Sequence, residues 1–387
     1  VNSGGDLTTF FGEDGKTVVL NADLDFTGIA GWTPIGAGSF NWASNALTLN
    51  EGSTPFTGIF DGQGHSIKNL ALVCENETAG AAWGLFGILG PGAVVKNLVF
   101  DASSSLSVKC KAQTDAGILA GLVYDATVSN ITNNAPMSFD GAAGDNKRVT
   151  MGIFGFAFAG ENGVVLENIT NTGAVTATAG GNTKNGATAV QVAGILGFGT
   201  NLLNTEVKVA IKHAVNKGAI TSATARASGI VAAANRYVEM EDVVNYGNNL
   251  NTFATTGGSR LGNITCITGA GSTMADAINY GDLVSTTAGC AGGIICLVNA
   301  DDNSFTRVKS YGKVITDKTD SYIGTFFGQC NKAAVFSECV AGGDLGTYNG
   351  GSPVMVGVTA ENYFDYIGTH TSAGENVTKE NIVFGTL

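Results

Sequence analysis

The 387-residue sequence predicts an all-β, single-domain parallel β-helix, a solenoid closed by N- and C-terminal caps. Three observations carry that reading. A glycine followed by a short apolar stretch returns at Gly84, Gly117, Gly152, Gly194, Gly229, Gly262, Gly293 and Gly324, at intervals of 33, 35, 42, 35, 33, 31 and 31 residues. Such a period marks stacked repeats rather than a globular core. A second anchor follows each glycine, at Asn97, Asn130, Asn168, His213, Asp242, Asp276, Arg307 and Glu338, and a turn glycine recurs five residues after most of these, at Gly173, Gly218, Gly247, Gly281, Gly312 and Gly343.

The second anchor predicts a bend. Two residues before it stand Val95, Val128, Leu166, Ile211, Met240, Met274, Phe305 and Phe336, and one residue after it Leu98, Ile131, Ile169, Ala214, Val243, Ala277, Val308 and Cys339. Both columns are apolar. The two mostly polar positions between them break the period-two alternation of a straight strand, so the backbone is expected to turn a corner there about the core. Two residues before the turn glycine come Asn171, Asn216, Asn245 and Asn279; both residues of Asn-x-Gly tolerate left-handed backbone, which suits a tight turn. Where the turn glycine is missing, Ala102 and Ala135 replace it.

These segments are rich in Gly, Thr, Asn, Val and Ile, which favour short strands and turns over helix. A coil of about 30 residues with three short strands is therefore expected, each strand pairing with the next coil at about 4.8 Å. Counting one coil around Asn69 gives nine, a rod roughly 40 Å long. Residues 1–55 are assigned to an N-terminal cap and first strands, 56–343 to the repeated coils and 344–387 to a C-terminal cap, since an open end would expose both core and strand edges. The Tyr363-Phe-Asp-Tyr-Ile367 stretch is expected to close the far end.

The segment Phe56-Thr-Gly-Ile-Phe-Asp-Gly-Gln-Gly-His-Ser-Ile-Lys-Asn-Leu70, with Gly84-Leu-Phe-Gly87 and Val95-Lys-Asn-Leu98, resembles the GLUG-repeat proteins of bacterial cell surfaces. Asn21-Ala-Asp-Leu-Asp-Phe-Thr-Gly28 and Trp32-Thr-Pro-Ile-Gly36 are similar to the opening of such domains. The resemblance is specific over residues 17 to about 100 and looser, in register, to about 343. It implies a right-handed parallel β-helix on a secreted or surface-anchored, adhesin-like protein, with no family-wide catalytic residues. Asn263 and Thr325 stand where the repeat has an aliphatic residue after glycine, which predicts distorted coils there.

Composition agrees with an extracellular rod: 13% of residues are charged, 56 are glycine and 44% are hydrophobic, enough for a continuous core. No stretch reaches the roughly 20 apolar residues of a membrane-spanning helix. The chain opens on Val1 with no signal peptide, so a processed or truncated start is expected and export rests on the resemblance. A net charge of −12 argues against nucleic acid, whose phosphates need clustered Lys and Arg. Of seven cysteines, Cys266 and Cys296 fall near one register, as a disulfide across the stack or, the reading preferred here, as part of a ladder of buried thiols. No metal site, cofactor or oligomer is expected; three histidines lack ligand spacing to cysteine.

An enzyme is the second reading, because polysaccharide lyases and glycoside hydrolases use this fold. Hydrolysis needs two carboxylates on one surface, and Asp301-Asp302 is the adjacent aspartate pair. Without polygalacturonase companion motifs, the pair reads as a solvated loop. Asp23-Leu-Asp25 reads as the outward side of a strand, and Arg226, Arg236, Arg260 and Arg307 are scattered over different repeats, Arg236 near Glu239-Met-Glu-Asp242. No catalytic residue is assigned. Tyr246, Tyr280 and Tyr311, in Asn-Tyr-Gly, Asn-Tyr-Gly and Ser-Tyr-Gly, recur at one place in three consecutive turns and are the predicted ligand-binding residues, since an exposed aromatic row can hold sugar rings. Their alternative is a ladder that only stabilises the turn. The expected function is thus a non-catalytic, adhesin-like bacterial surface protein binding a glycan or host ligand along one face, with a carbohydrate-active enzyme or a passive spacer as alternatives.

Overall fold

A computed structural model of the chain describes residues 1–8, 15–43, 46–75, 80–110, 112–140, 148–178, 189–202, 206–253, 259–286, 289–316, 322–348, 352–363 and 377–384. Among them lie three sheets, of 17, 10 and 16 strands, and one short helix, Gly4–Thr8. Nearly all pairings are parallel and join one coil to the next, which makes the molecule a parallel β-helix. The 17-stranded sheet starts at Thr17–Val19 and Leu24–Asp25 and runs through Val94–Phe100 and Val238–Asn245 to Val377–Glu380 and Val383–Phe384. The 10-stranded sheet runs from Ala71–Cys74 to Asp344–Tyr348 and the antiparallel edge strand Pro353–Gly357. The 16-stranded sheet runs from Ala81–Trp83 to Phe327–Cys330.

The core follows the two apolar columns. Val95, Val128, Leu166, Ile211, Met240, Met274, Phe305 and Phe336 are each at most 1% exposed, and Leu98 through Cys339 in the partner column are fully buried. Like stacks on like, Met240 opposite Met274 and Phe305 opposite Phe336, whose ring centroids lie 4.6 Å apart. Between the columns every anchor from Asn97 to Glu338 adopts positive φ, between 51° and 59°. That left-handed residue is the corner. It lets apolar side chains on both sides of it point inward, where straight alternation would send one of them out.

The coil counted around Asn69 is present, as strands Ile59–Asp61, Ser66–Lys68 and Ala71–Cys74. Its corner is not at Asn69: Ser66 and Ile67 stand opposite Val99 and Phe100, so the place of Asn97 is filled by the wider Gly62–Gly64 turn, whose amides bond the Lys96 and Asn97 carbonyls at 2.8 Å. Nor do Asn263 and Thr325 replace aliphatic residues. Gly262 pairs with Gly292, and Gly292 with Gly324, which puts Asn263 and Thr325 in the column of Gly229 and Gly293. The apolar residue follows one place later, as Ile264 and Phe326, both fully buried, and the pairing continues through these coils.

The ends are closed differently. At the start Leu7 of the short helix is buried in the core. At the far end Tyr363 is 6% exposed, packs edge-on against Phe326 and Phe384, and accepts the Thr325 N–H at 2.9 Å; residues 364–367 of the expected closing stretch lie outside the described residues. Strands Gly38–Ala43 and Ala46–Leu49, two of those in the 16-stranded sheet, form an antiparallel hairpin that pairs with Ala81–Trp83 and folds over the outer face of that sheet. There Trp42 meets Phe156 and Phe198 edge-on at 5.9 and 5.3 Å. No described helix is long and apolar enough to cross a membrane.

Candidate functional site

Each Asn-x-Gly turn sends consecutive side chains to opposite sides of the rod. The asparagines go inward: Asn133, Asn171, Asn216, Asn245 and Asn279 are all fully buried. Each amide donates to the next Oδ1, from Asn133 to Asn171 and on through Asn216 and Asn245 to Asn279, at 2.8–2.9 Å. Each also donates to the carbonyl two residues on in its own turn, at 2.9–3.0 Å. Glycine is required across the interior: a Cβ at Gly194 or Gly229 would collide with Oδ1 of Asn216 or Asn245.

The tyrosines go outward. Their backbone N–H groups bond the asparagine carbonyl of the preceding coil, Tyr246 to Asn216, Tyr280 to Asn245 and Tyr311 to Asn279, at 2.7–2.8 Å. The Tyr246 and Tyr280 rings lie 5.0 Å apart at 10°, and the Tyr280 and Tyr311 rings 5.5 Å apart at 19°. Tyr246 is 51% exposed and the other two are half-buried. Among the described residues no hydrogen bond occupies their hydroxyls. Half-buried Val244 and Ile278 flank the row on one side, and Leu250, 40% exposed, with half-buried Val284 on the other.

This geometry limits what the row can do. Both faces of Tyr280 are covered by its neighbours, so a sugar ring cannot stack flat on it. Ring edges, hydroxyls and the outer faces of Tyr246 and Tyr311 remain. The chemistry offered is a narrow amphipathic stripe parallel to the rod axis, with one phenol per coil.

The other sequence candidates do not converge. Asp301 accepts the Ala333 N–H at 3.1 Å and faces Lys332 at 3.8 Å, while Asp302 is exposed at a left-handed φ of 62°. Asp23 and Asp25 are exposed on either side of buried Leu24. Lys68 and the Ser66 N–H, with His65 at 3.3 Å, hold the Asp23 carboxyl down to about 2. Glu239 pairs with Lys208 and Glu241 with Lys212, while Arg307 makes a two-point contact with Asp276 at 2.6 Å. Arg226 and Arg260 stack in adjacent coils on the outer face of the 16-stranded sheet; burial and the neighbouring Arg260 lower the Arg226 guanidinium to about 10. Among the described residues no group of three or more His, Cys, Asp or Glu is placed to hold a metal ion.

The cysteine expectation is corrected in part. Cys266 and Cys296 do share a register, but Cys296 is bonded to Cys290 across one bend of the 16-stranded sheet. Cys266 is a buried thiol pushed up to about 12 by desolvation, and Cys74, Cys110, Cys330 and Cys339 are also buried and in no disulfide. Sequence reasoning also missed a buried ion pair, Arg148 with Asp115 at 2.8 Å, both at most 2% exposed.

No family model matches the chain. A 120-residue stretch is 32% identical to halomucin of Haloquadratum walsbyi (strain DSM 16790 / HBSQ001), covering 31% of this chain and 1% of halomucin. The chain thus spans about a hundredth of that relative's length. Among solved structures, a Bacteroides ovatus protein provisionally named an immunoglobulin A1 protease is similar over 100% of this chain and 83% of its own, at 13% identity and a TM-score of 0.41. A likeness at that level carries no argument about this chain.

Proposed function

We propose that this chain is a non-catalytic, adhesin-like rod of a bacterial cell surface that binds an extended glycan along its tyrosine-bearing edge. The observation that carries the reading is the outward-facing, stacked row of Tyr246, Tyr280 and Tyr311, whose hydroxyls have no partner among the described residues. A rigid row with one phenol per coil matches a linear polymer better than a compact ligand, because every added coil adds the same contact. The resemblance of residues 17–100 to GLUG-repeat proteins supports a surface location, and the Cys290–Cys296 disulfide suits an oxidising compartment.

The test is a glycan array and a melting curve on the triple variant Tyr246→Ala, Tyr280→Ala, Tyr311→Ala. At least one glycan retained by the unaltered chain should no longer be retained. Two stacked pairs at about 0.5–1.5 kcal/mol each, beyond the area the half-buried rings lose, put the stability loss at no less than about 1–3 kcal/mol, which the melting curve reads. Retention by the triple variant of every glycan that the unaltered chain retains would remove the tyrosine row from the function.

A further inference from the structure

A second row of asparagines runs outside the rod, at the left-handed corner of the 17-stranded sheet. Asn97, Asn130 and Asn168 occupy successive coils with φ of 59°, 56° and 54°. Asn168 Nδ2 donates to Asn130 Oδ1 at 3.0 Å, Asn130 Nδ2 to Asn97 Oδ1 at 2.8 Å, and Asn97 Nδ2 to Asp61 Oδ1 at 2.9 Å.

The two asparagine rows differ in how fully they are used. A primary amide has two N–H donors and an oxygen with two lone pairs. In the inner row both donors are committed, one along the ladder and one to the turn carbonyl. In the outer row the ladder takes one donor from each amide and one lone pair from Asn97 and Asn130, and no other described group takes the rest. Each rung therefore presents at least one free donor beside one free acceptor. Asn130 and Asn168 present them to solvent.

At the head of this row lies a depression of about 490 Å³ lined by Gln63, Gly64, Asn97, Leu98, Val99 and Asn130. Gln63 adds a third amide and Val99 an apolar wall, while left-handed Gln63 and Gly64, at φ 54° and 82°, form the wider turn that opens the hollow. Asp61, whose carboxylate accepts from the Asn97 amide, is paired with Lys96 at 3.3 Å. None of the residues that line the hollow is charged, so nothing in the lining favours an anion.

We propose that the outer amide row and the hollow at its head bind a neutral saccharide chain lying along the rod. A sugar hydroxyl donates and accepts at once, which matches one free donor beside one free acceptor per rung. The rungs repeat at about 4.8 Å, so consecutive sugars of an extended chain meet equivalent amides. The aliphatic wall takes the apolar face of the ring seated in the hollow. This site uses none of the three tyrosines and stands independently of them.

The test is calorimetric titration of the 387-residue chain with cellohexaose, xylohexaose, mannohexaose and chitohexaose. The variant is Asn97→Gly, Asn130→Gly, Asn168→Gly, which deletes the amides while keeping a residue at ease with positive φ; Asn130→Gly alone serves if the triple variant does not fold. At least one hexasaccharide should bind, and the triple variant should bind it about tenfold or more weakly, the loss of roughly one good polar contact, with circular dichroism unchanged. The triple tyrosine variant should keep that affinity. Failure of all four sugars to bind at millimolar concentration, or equal affinity in the glycine variant, overturns the proposal. Loss in the tyrosine variant alone would overturn it while leaving the tyrosine reading standing.

Discussion

At Asn245 one side chain serves three neighbours: it accepts from Asn216 and donates to Asn279 and to the Gly247 carbonyl, all within 2.9 Å. Asn245→Leu would strand the Asn216 amide hydrogen and the Gly247 carbonyl in a dry interior, where each unsatisfied group costs about 1–3 kcal/mol, while Asn279 Oδ1 keeps the Gly281 N–H at 3.2 Å. We expect a loss of at least about 2 kcal/mol in urea unfolding, and an unchanged midpoint would contradict the ladder. Outside, His213 Nδ1–H donates to Asp242 Oδ2 at 2.7 Å, and that contact raises the imidazole above its ordinary value. Raised in the fold, the group adds stability that is complete below its unfolded pKa and is lost as pH rises through the folded one. NMR titration should place His213 above a free histidine, and Asp242→Asn should bring it back down. Four inner asparagines were legible because a glycine follows each at the second place; Asn133 was not, because Ala135 stands there. The left-handed corner was legible only as a position, since Asn, His, Asp, Arg and Glu share no chemistry that would announce it.

The two apolar columns that contact a neighbouring coil were legible in the sequence, and the hairpin that contacts the flank was not. The hairpin Gly38–Leu49 covers residues more than 100 places away, and nothing in its own alternation names that partner. Its contact rests on Arg148, whose guanidinium lies 4.7 Å from the Phe156 ring centroid and 5.4 Å from that of Trp42. Asp115, which also accepts the Thr150 hydroxyl at 2.7 Å, neutralises it. Arg148→Leu should cost about 3–5 kcal/mol, because Asp115 would remain charged and buried without its partner. The double variant Asp115→Leu, Arg148→Leu should recover much of that loss, as replacing a buried pair by apolar groups is often near neutral. A double variant no more stable than the single one would mean that the ion pair itself holds the hairpin. The glycine column slipped by one residue for a related reason: Gly262, Gly292 and Gly293 are equivalent in sequence, and only pairing separates them.

Across the whole molecule the three sheets advance together, so one coil is a removable unit. Asn245 stands opposite Asn279, 34 residues later, and Leu250 and Leu261 stand opposite Val284 and Ala291 in the other two sheets. Deleting residues 245–278 joins Val244 to Asn279, and every strand of the next coil drops one rung in register. Stability in such a stack is close to a sum over coils and their interfaces, so the shortened chain should fold with the same circular dichroism shape and a modestly lower melting temperature. Deleting half as many residues should abolish folding, because it puts the strand of one sheet opposite that of another. The same deletion carries a functional consequence. Tyr280 takes the place of Tyr246 and the row falls from three rings to two, so binding through the tyrosines should weaken while binding through the outer amides, two to four coils away toward the N terminus, should not change. A full-coil deletion that failed to fold would show that the coils are not interchangeable, and unequal flank layers, hairpin-covered at one end and disulfide-braced at the other, would then be what fixes the order of the stack.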